Sequence, residues 1–468
     1  MSTKYIKYVF FLLIAGSCAS QRMTPQAVQQ DSGAKTTLPP IQTIPTMVKI
    51  MPVPEQKDSV PLIQTIPTIV ETMPVPEQKE TPESNVQPLV SQVQRAEAGT
   101  WQAAKQMALD SLCQSPIFET TQLGLYVYDL TDEKPLYAVN ATHCMRPASC
   151  QKIVTAVTAL HFLKGDYKLK TDFRITGNIV SRTLQGDLYV IGGMDPLVTR
   201  NELQQVAASI KRQTGIDSIA GTIVYDLSMR ENTPMGWGWC WDDDYGPLSA
   251  LLVDGKDTFE QYWLQALSNA GIGLRSKAGM YAVTDKQARS VCTIHHSIDN
   301  LLEPMMKKSD NIFAECLFYQ IAASTGTKYA GHKQTTQRTE ELMKRINLNP
   351  DNYKVADGSG LSLYNYASPE MLVSMLNYAW RTPSIREHLL PSLPIAGVDG
   401  TLQKRMVSTK AESNVRAKTG TVTGIVSLAG YLTATNGHVL TFCIINQGIN
   451  TPAPGRSFQD KVCQELCR

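Results

Sequence analysis

The sequence has no excess of charge of either sign. Its 44 lysines and arginines face 42 aspartates and glutamates, the formal net charge is +2, and no long basic block breaks the mixture. A dedicated nucleic-acid binder needs a cationic surface to neutralise phosphates, so that class is excluded as a first reading. Histidine is scarce. The seven present, such as His143, His295 and His296, sit in no recognisable hydrolase context, and no serine stands in a Gly-x-Ser-x-Gly elbow. A Ser-His-Asp hydrolase is therefore poorly supported. The ten cysteines show no zinc spacing, and Cys463 and Cys467, at helical spacing, have no histidine nearby. Neither a metal nor another cofactor is expected.

What is present begins with "MSTKYIKYVFFLLIAGSCAS": two lysines, an apolar run from Tyr8 to Ile14, then small residues ending at a cysteine. That run is too short to span a membrane and reads as a secretion signal over residues 1–18. Ala15-Gly16-Ser17-Cys18 resembles a bacterial lipobox, which would make Cys18 the acylated first residue of the mature chain. Ordinary cleavage near Ala19 is the competing reading. Either way the chain is expected outside the cytoplasm, with the membrane reached only through a lipid on Cys18.

Residues 19–100 are proline-rich and carry an internal duplication. "IQTIPTMVKIMPVPEQK" from Ile41 recurs 22 residues on as "IQTIPTIVETMPVPEQK" from Ile63. Two copies are too few for a solenoid, and this much proline favours an extended spacer. Fully extended, roughly 75 such residues at about 3.1 Å each reach on the order of 230 Å.

From Trp101 the texture changes. "GLYVYDLTDEKPLYAVNA" alternates around a polar break and predicts a hairpin, and "VSLAGYLTATNGHVLTFCIIN" predicts another, with Asn436-Gly437 in its turn. Between them lie helices: one opening at Ser149, with Ile153, Val154, Val157 and Leu160 on one apolar face, and an amphipathic one after Asn311. Residues 168–294 read as mostly strands and turns. The expectation is an α+β catalytic domain over 101–167 and 295–468, whose terminal strands share an antiparallel sheet flanked by helices, interrupted by an inserted β-rich module.

"RPASCQKIVTAVTAL" sets Ser149 three residues before Lys152 at a helix start. A serine there is often only a cap, and Ser32-Gly-Ala-Lys35 repeats the spacing inside the tether. A serine hydroxyl needs a base, however, and a lysine kept neutral by burial or a neighbouring cation can serve. Two further motifs complete a known signature: Ser309-Asp310-Asn311 and Lys418-Thr419-Gly420 follow in order. Ser149 is read as the nucleophile and Lys152 as its base. Ser309 would pass a proton to the leaving amine, Asn311 would hold the substrate amide, Lys418 and Thr419 would bind a terminal carboxylate, and Gly420 and Thr421 would complete the substrate-binding set. Cys150, beside the nucleophile, is read as a small buried helix residue.

With "GDLYVIGGMDP", "LLEPMMKKSDNIFAE", "DGSGLS" and "LPIAGVDGTL", the chain from about Ala103 onward resembles the low-molecular-mass class C penicillin-binding proteins. These are the D-alanyl-D-alanine carboxypeptidase/endopeptidase family, penicillin-binding protein 4 type or peptidase family S13. The resemblance implies a β-lactamase/transpeptidase-like domain with nested accessory modules. It also implies peptidoglycan stem peptides as substrates, β-lactams as covalent inhibitors, and an oxyanion hole from the N–H groups of Ser149 and Thr421. One departure stands out: where many relatives carry a basic residue after GLS, this chain has Leu363. A class A β-lactamase would need a glutamate followed four residues on by asparagine between the last two motifs. None of Glu315, Glu340, Glu341, Glu370, Glu387 and Glu412 qualifies. A non-catalytic wall-binding protein keeping the fold is the other alternative.

Overall fold

The computed structural model describes residues 92–243, 245–276 and 279–468. The signal segment, Cys18, the duplicated repeat and the tether as far as residue 91 lie outside the described residues. From Gln92 onward the tether is already part of the domain. Gln92 N donates to Ala138 O at 2.7 Å, and Gln106 accepts from Ala96 N and donates to Gln94 O.

Along the chain come α1 (Trp101–Cys113), β1 (Gln122–Asp129), β2 (Lys134–Val139) and α2 (Gln151–Leu163). The inserted stretch holds β3 (Lys168–Ile175), β4 (Asn178–Val180), β5 (Thr183–Gln185), β6 (Leu188–Ile191), α3 (Arg200–Thr214), β7 (Ser218–Ile219) and β8 (Ile223–Asp226). It continues with α4 (Phe259–Asn269), β9 (Gly273–Leu274), β10 (Met280–Tyr281) and β11 (Arg289–Ser297). Then come α5 (Ile298–Lys307), α6 (Asn311–Ala323), α7 (His332–Arg345), α8 (Pro369–Arg381) and α9 (Pro383–Ser392). The chain closes with β12 (Arg416–Val422), β13 (Ile425–Thr433), β14 (Val439–Gln447) and α10 (Pro452–Leu466).

Both expected hairpins form, and they join. β1 lies antiparallel to β14, so the sheet runs β12-β13-β14-β1-β2 and the two ends of the domain share it. One face packs on α1 and α10 around Leu125, Val127, Phe442, Ile444 and Val462. The other face packs on a helical layer centred on α2. That helix is not one-sided, as its apolar stripe suggested. Thr155, Thr158, Gln151 and Lys152 are buried along with the stripe, because α5 to α9 surround it. α6 differs in the same way: every residue from Ala314 to Ala322 is buried. A helix enclosed by other helices keeps no polar face.

The inserted stretch has its own core, built on Phe173, Val190, Ile210, Tyr225, Trp263 and Leu267. It is α/β rather than simply β-rich. α3 and α4 cover sheets ordered β10-β8-β6-β3-β11 and β4-β5-β7-β9. α3 announces itself by a capping box, Thr199 with Glu202, and ends at Gly215 in the left-handed conformation. β11 runs to Ser297, a little past the boundary read at 294.

Candidate active site

Ser149 sits in a 3-10 turn (Ala148–Cys150) that runs into α2. The residue before it, Ala148, has φ +48°, a conformation that costs energy for any residue with a Cβ. The Ser149 hydroxyl caps nothing. Its bond is with Lys152 Nζ at 3.1 Å, across one helical turn. The same amine reaches Asn311 Oδ1 at 2.6 Å and Ser359 O at 2.8 Å.

The second motif divides its work among three residues. Asp310 takes the N-cap of α6, accepting from Phe313 N, which leaves Ser309 free of that duty. Ser309 has φ +62°, and its Oγ accepts from Lys418 Nζ at 2.8 Å. Asn311 is the first residue of the helix. It offers Oδ1 to Lys152 and donates from Nδ2 to Tyr245 Oη at 2.6 Å.

β12 brings the third motif against the nucleophile. A Cβ on Gly420 would stand 2.1 Å from Ser427 Oγ and 3.0 Å from Ser149 N, so only glycine lets the strand pass this close. Thr421 is exposed and Thr419 half-buried on the same cleft wall. Lys418 differs from its expected place. Its side chain is 0% exposed, and Nζ donates to Ser309 Oγ and to Thr419 O. The ammonium therefore meets the serine bridge and lies behind the surface a carboxylate would touch. An exposed cation stands there instead: Arg456, near the start of α10, donates to Thr421 Oγ1 at 3.2 Å.

Burial governs the electrostatics. It draws the Lys152 ammonium down to about 8, with Asp357, Glu315 and Asp310 opposing the shift. Lys418 falls to about 7, again first through burial and then through repulsion from Lys152. Burial thus lowers the charge of Lys152, the condition a lysine base requires, and Lys152 in turn adds to the burial that lowers Lys418. Cys150 is fully buried, its thiol pushed up by burial and donating to Lys418 O, which fits a structural residue.

Several site residues escaped the sequence reading. Asp357 of "DGSGLS", 1% exposed, accepts from Gly360 N, Ser362 N, Ser359 Oγ, Asn365 Nδ2 and Trp239 Nε1. Gly360, at φ +82°, lies so close to Ala148 O that a Cβ would be 2.0 Å away. The inserted stretch supplies a wall of its own. Trp239 is anchored to Asp357, the Tyr245 ring packs tilted beside it at 5.6 Å and meets Asn311, and Trp237 stacks on His332. At Leu363 the backbone carbonyl accepts from Arg146 Nε at 3.1 Å, so a guanidinium lies beside that position although the side chain is apolar.

The cleft in front of Ser149 is about 440 Å³ and is lined by Ser149, Ser309, Thr419, Thr421 and Arg456 among others. A larger one, about 780 Å³, lies in the inserted stretch around Tyr225 and Tyr281 and contains none of the three motifs. Among the described residues, the group with metal-ligand spacing is Asp129, Asp132 and His438. It sits at the opposite end of the sheet from the cleft, around the β1–β2 and β13–β14 turns. None of the nine cysteines among the described residues is in a disulfide.

A family model described as the D-Ala-D-Ala carboxypeptidase 3 (S13) family matches residues 105–259 and 247–465. A D-alanyl-D-alanine carboxypeptidase DacB from Haemophilus influenzae is 26% identical over 419 residues, covering 71% of this chain and 87% of that protein. A D-alanyl-D-alanine carboxypeptidase from Actinomadura sp. is 25% identical over 457 residues, covering 76% and 83%. Among solved structures, penicillin-binding protein 4 (dacB) from Haemophilus influenzae, complexed with a novel β-lactam, matches with a TM-score of 0.63 at 26% identity. That match covers 75% of this chain and 97% of the other. The α+β architecture, an antiparallel sheet with flanking helices, is shared with it.

Proposed function

The chain belongs to the D-Ala-D-Ala carboxypeptidase (S13) family, and from that premise we infer that it is a serine DD-peptidase of the cell envelope. Its substrates are peptidoglycan stem peptides, and β-lactams acylate it. The observation that carries the reading is the contact of Ser149 Oγ with a buried lysine whose charge is held down by burial. Neutral Lys152 takes the Ser149 proton as Oγ attacks the carbonyl of the penultimate D-alanine. The oxyanion then lies toward the N–H groups of Ser149 and Thr421. Lys418 and Ser309 form a relay on the opposite wall, suited to protonating the departing amine. Water then hydrolyses the acyl-enzyme.

Asn311, with Tyr245 behind it, suits the amide of the stem. The terminal carboxylate falls to Thr419, Thr421 and Arg456, while Lys418 stays behind them, hydrogen-bonded to Ser309. Loss of a charge-assisted bond predicts that Arg456→Gln lowers kcat/KM on a D-Ala-terminated peptide by about tenfold. The effect should sit mainly in KM. A peptide with an amidated C-terminus should be hydrolysed equally by both proteins, and an equal loss on both peptides would remove Arg456 from carboxylate recognition.

The lipobox at Cys18 and the tether suggest a lipid-anchored protein with long reach into the wall. No helix among the described residues is long and apolar enough to cross a membrane. Incubation with penicillin tests the activity directly. The intact protein gains the mass of one penicilloyl group, and the adduct persists. No added mass overturns the reading, while rapid release of penicilloate would make it a β-lactamase. Digestion of purified muropeptides separates exo- from endo-cleavage, since only an endopeptidase turns dimers into monomers.

A further inference from the structure

A neutral lysine amine has two N–H groups and one lone pair. Acceptors placed for the two hydrogens decide where the lone pair points. Around Lys152 Nζ the acceptors are Asn311 Oδ1 and Ser359 O, and the third neighbour is Ser149 Oγ. Holding the first two in place therefore aims the lone pair at the nucleophile's proton.

Both acceptors trace back to one helix. Asn311 and Glu315 are four residues apart on α6 and so share a face. Asn311 contacts the amine itself. Glu315, 1% exposed, accepts on Oε1 from Gly358 N at 3.0 Å and from Ser359 N at 2.9 Å. The next peptide in that turn carries Ser359 O, and Thr155 Oγ1 of α2 secures Gly358 O. We propose that Glu315 is a positioning residue for the general base: its grip on the Gly358–Ser359 backbone sets Ser359 O, so that α6 fixes both hydrogens of the Lys152 amine, one through Asn311 and one through Glu315. The proposal rests on the DD-peptidase reading and deepens it.

The carboxyl also bears on when the amine is neutral. The charged and titratable groups facing Lys152 are Asp357 of the 357–362 turn, Glu315 and Asp310 on α6, Cys150 before α2 and Lys418 on β12. Glu315 is itself pushed up to about 8, first by burial and then by Asp357. Lys152 is active when deprotonated, so wild-type acylation rises with pH through about 8. Where Glu315 is ionised, near and above about 8, its negative charge favours the ammonium, and Glu315→Gln removes that charge. The midpoint should therefore move to lower pH in Glu315→Gln.

The test is the rate of penicillin acylation against pH for wild type, Glu315→Gln and Glu315→Leu, with near-ultraviolet circular dichroism as the check on folding. At the alkaline plateau, where protonation no longer limits, Glu315→Leu should be slower by at least about tenfold, the size of effect expected of a misaligned base. Glu315→Gln keeps an acceptor oxygen and should stay within a few-fold of wild type at the plateau, with its midpoint lowered. A leucine variant as fast as wild type overturns the proposal, and so does a glutamine variant as slow as the leucine one. If leucine prevents folding, a Glu315→Gln protein that folds but acylates at least about tenfold slower at the plateau overturns it, because its acceptor oxygen should still hold the Gly358–Ser359 backbone. A wild type that is never acylated fails the DD-peptidase reading instead, so the two failures are told apart.

Discussion

Ser149→Ala should gain no penicilloyl mass under conditions that convert the wild type completely, and should melt at nearly the wild-type temperature. The two halves of this result have separate causes. Removing the nucleophile of an acyl-enzyme mechanism costs on the order of 10³-fold or more in rate, because no other group inherits the bond. The neighbours here are poor substitutes. Cys150 is fully buried and turned toward Lys418 O, and Ser309 is bound to Lys418 across the cleft. The structural cost is small, because the hydroxyl caps no helix and Lys152 retains Asn311 Oδ1 and Ser359 O. Intact mass and a thermal melt measure both. An adduct on Ser149→Ala would mean another nucleophile, which peptide mapping would locate.

The three motifs were legible because each is local. The periodicity of α2, the Asn-Gly turn between β13 and β14 and each of SxxK, SDN and KTG are written within short windows, and the fold brings the windows together. What could not be read depends on enclosure. Ile153, Val154, Val157 and Leu160 predicted one buried face for α2, but burial of its other side depends on helices far along the chain. The carboxylate role assigned to Lys418 followed from its motif alone, and depth in the fold redirected its ammonium to Ser309. Glu315 figured only as a glutamate lacking a partner asparagine, although a lone acid in the apolar run "NIFAECLF" was itself a signal of a buried polar role. Tyr245 and Trp239 belong to a stretch expected to be accessory. Their contacts with Asn311 and Asp357 are tertiary facts with no sequence signature.

Asp357 should be the most sensitive position for stability around the cleft. Its two oxygens accept five hydrogen bonds of 2.7 to 2.9 Å, from Gly360 N, Asn365 Nδ2, Ser362 N, Ser359 Oγ and Trp239 Nε1. In Asp357→Ala all five donors lose their partner, and each one left buried and unpaired costs about 1–3 kcal/mol. The side chains can find other acceptors more easily than the two backbone N–H groups can, so a loss of about 4 kcal/mol is expected. In a domain of this size that corresponds to a fall of roughly 5–10 °C in the melting midpoint. Asp357→Asn should be nearly as harmful. Every neighbour is a donor, and an amide accepts on one atom only while turning its own N–H groups toward the rest. Penicillin acylation should fall in both variants, because the turn that carries Ser359 O and the anchor of Trp239 are released together. An Asp357→Asn protein with the wild-type melting midpoint would mean that the turn is held by other contacts, and that this carboxylate is not what joins the inserted stretch to the catalytic wall.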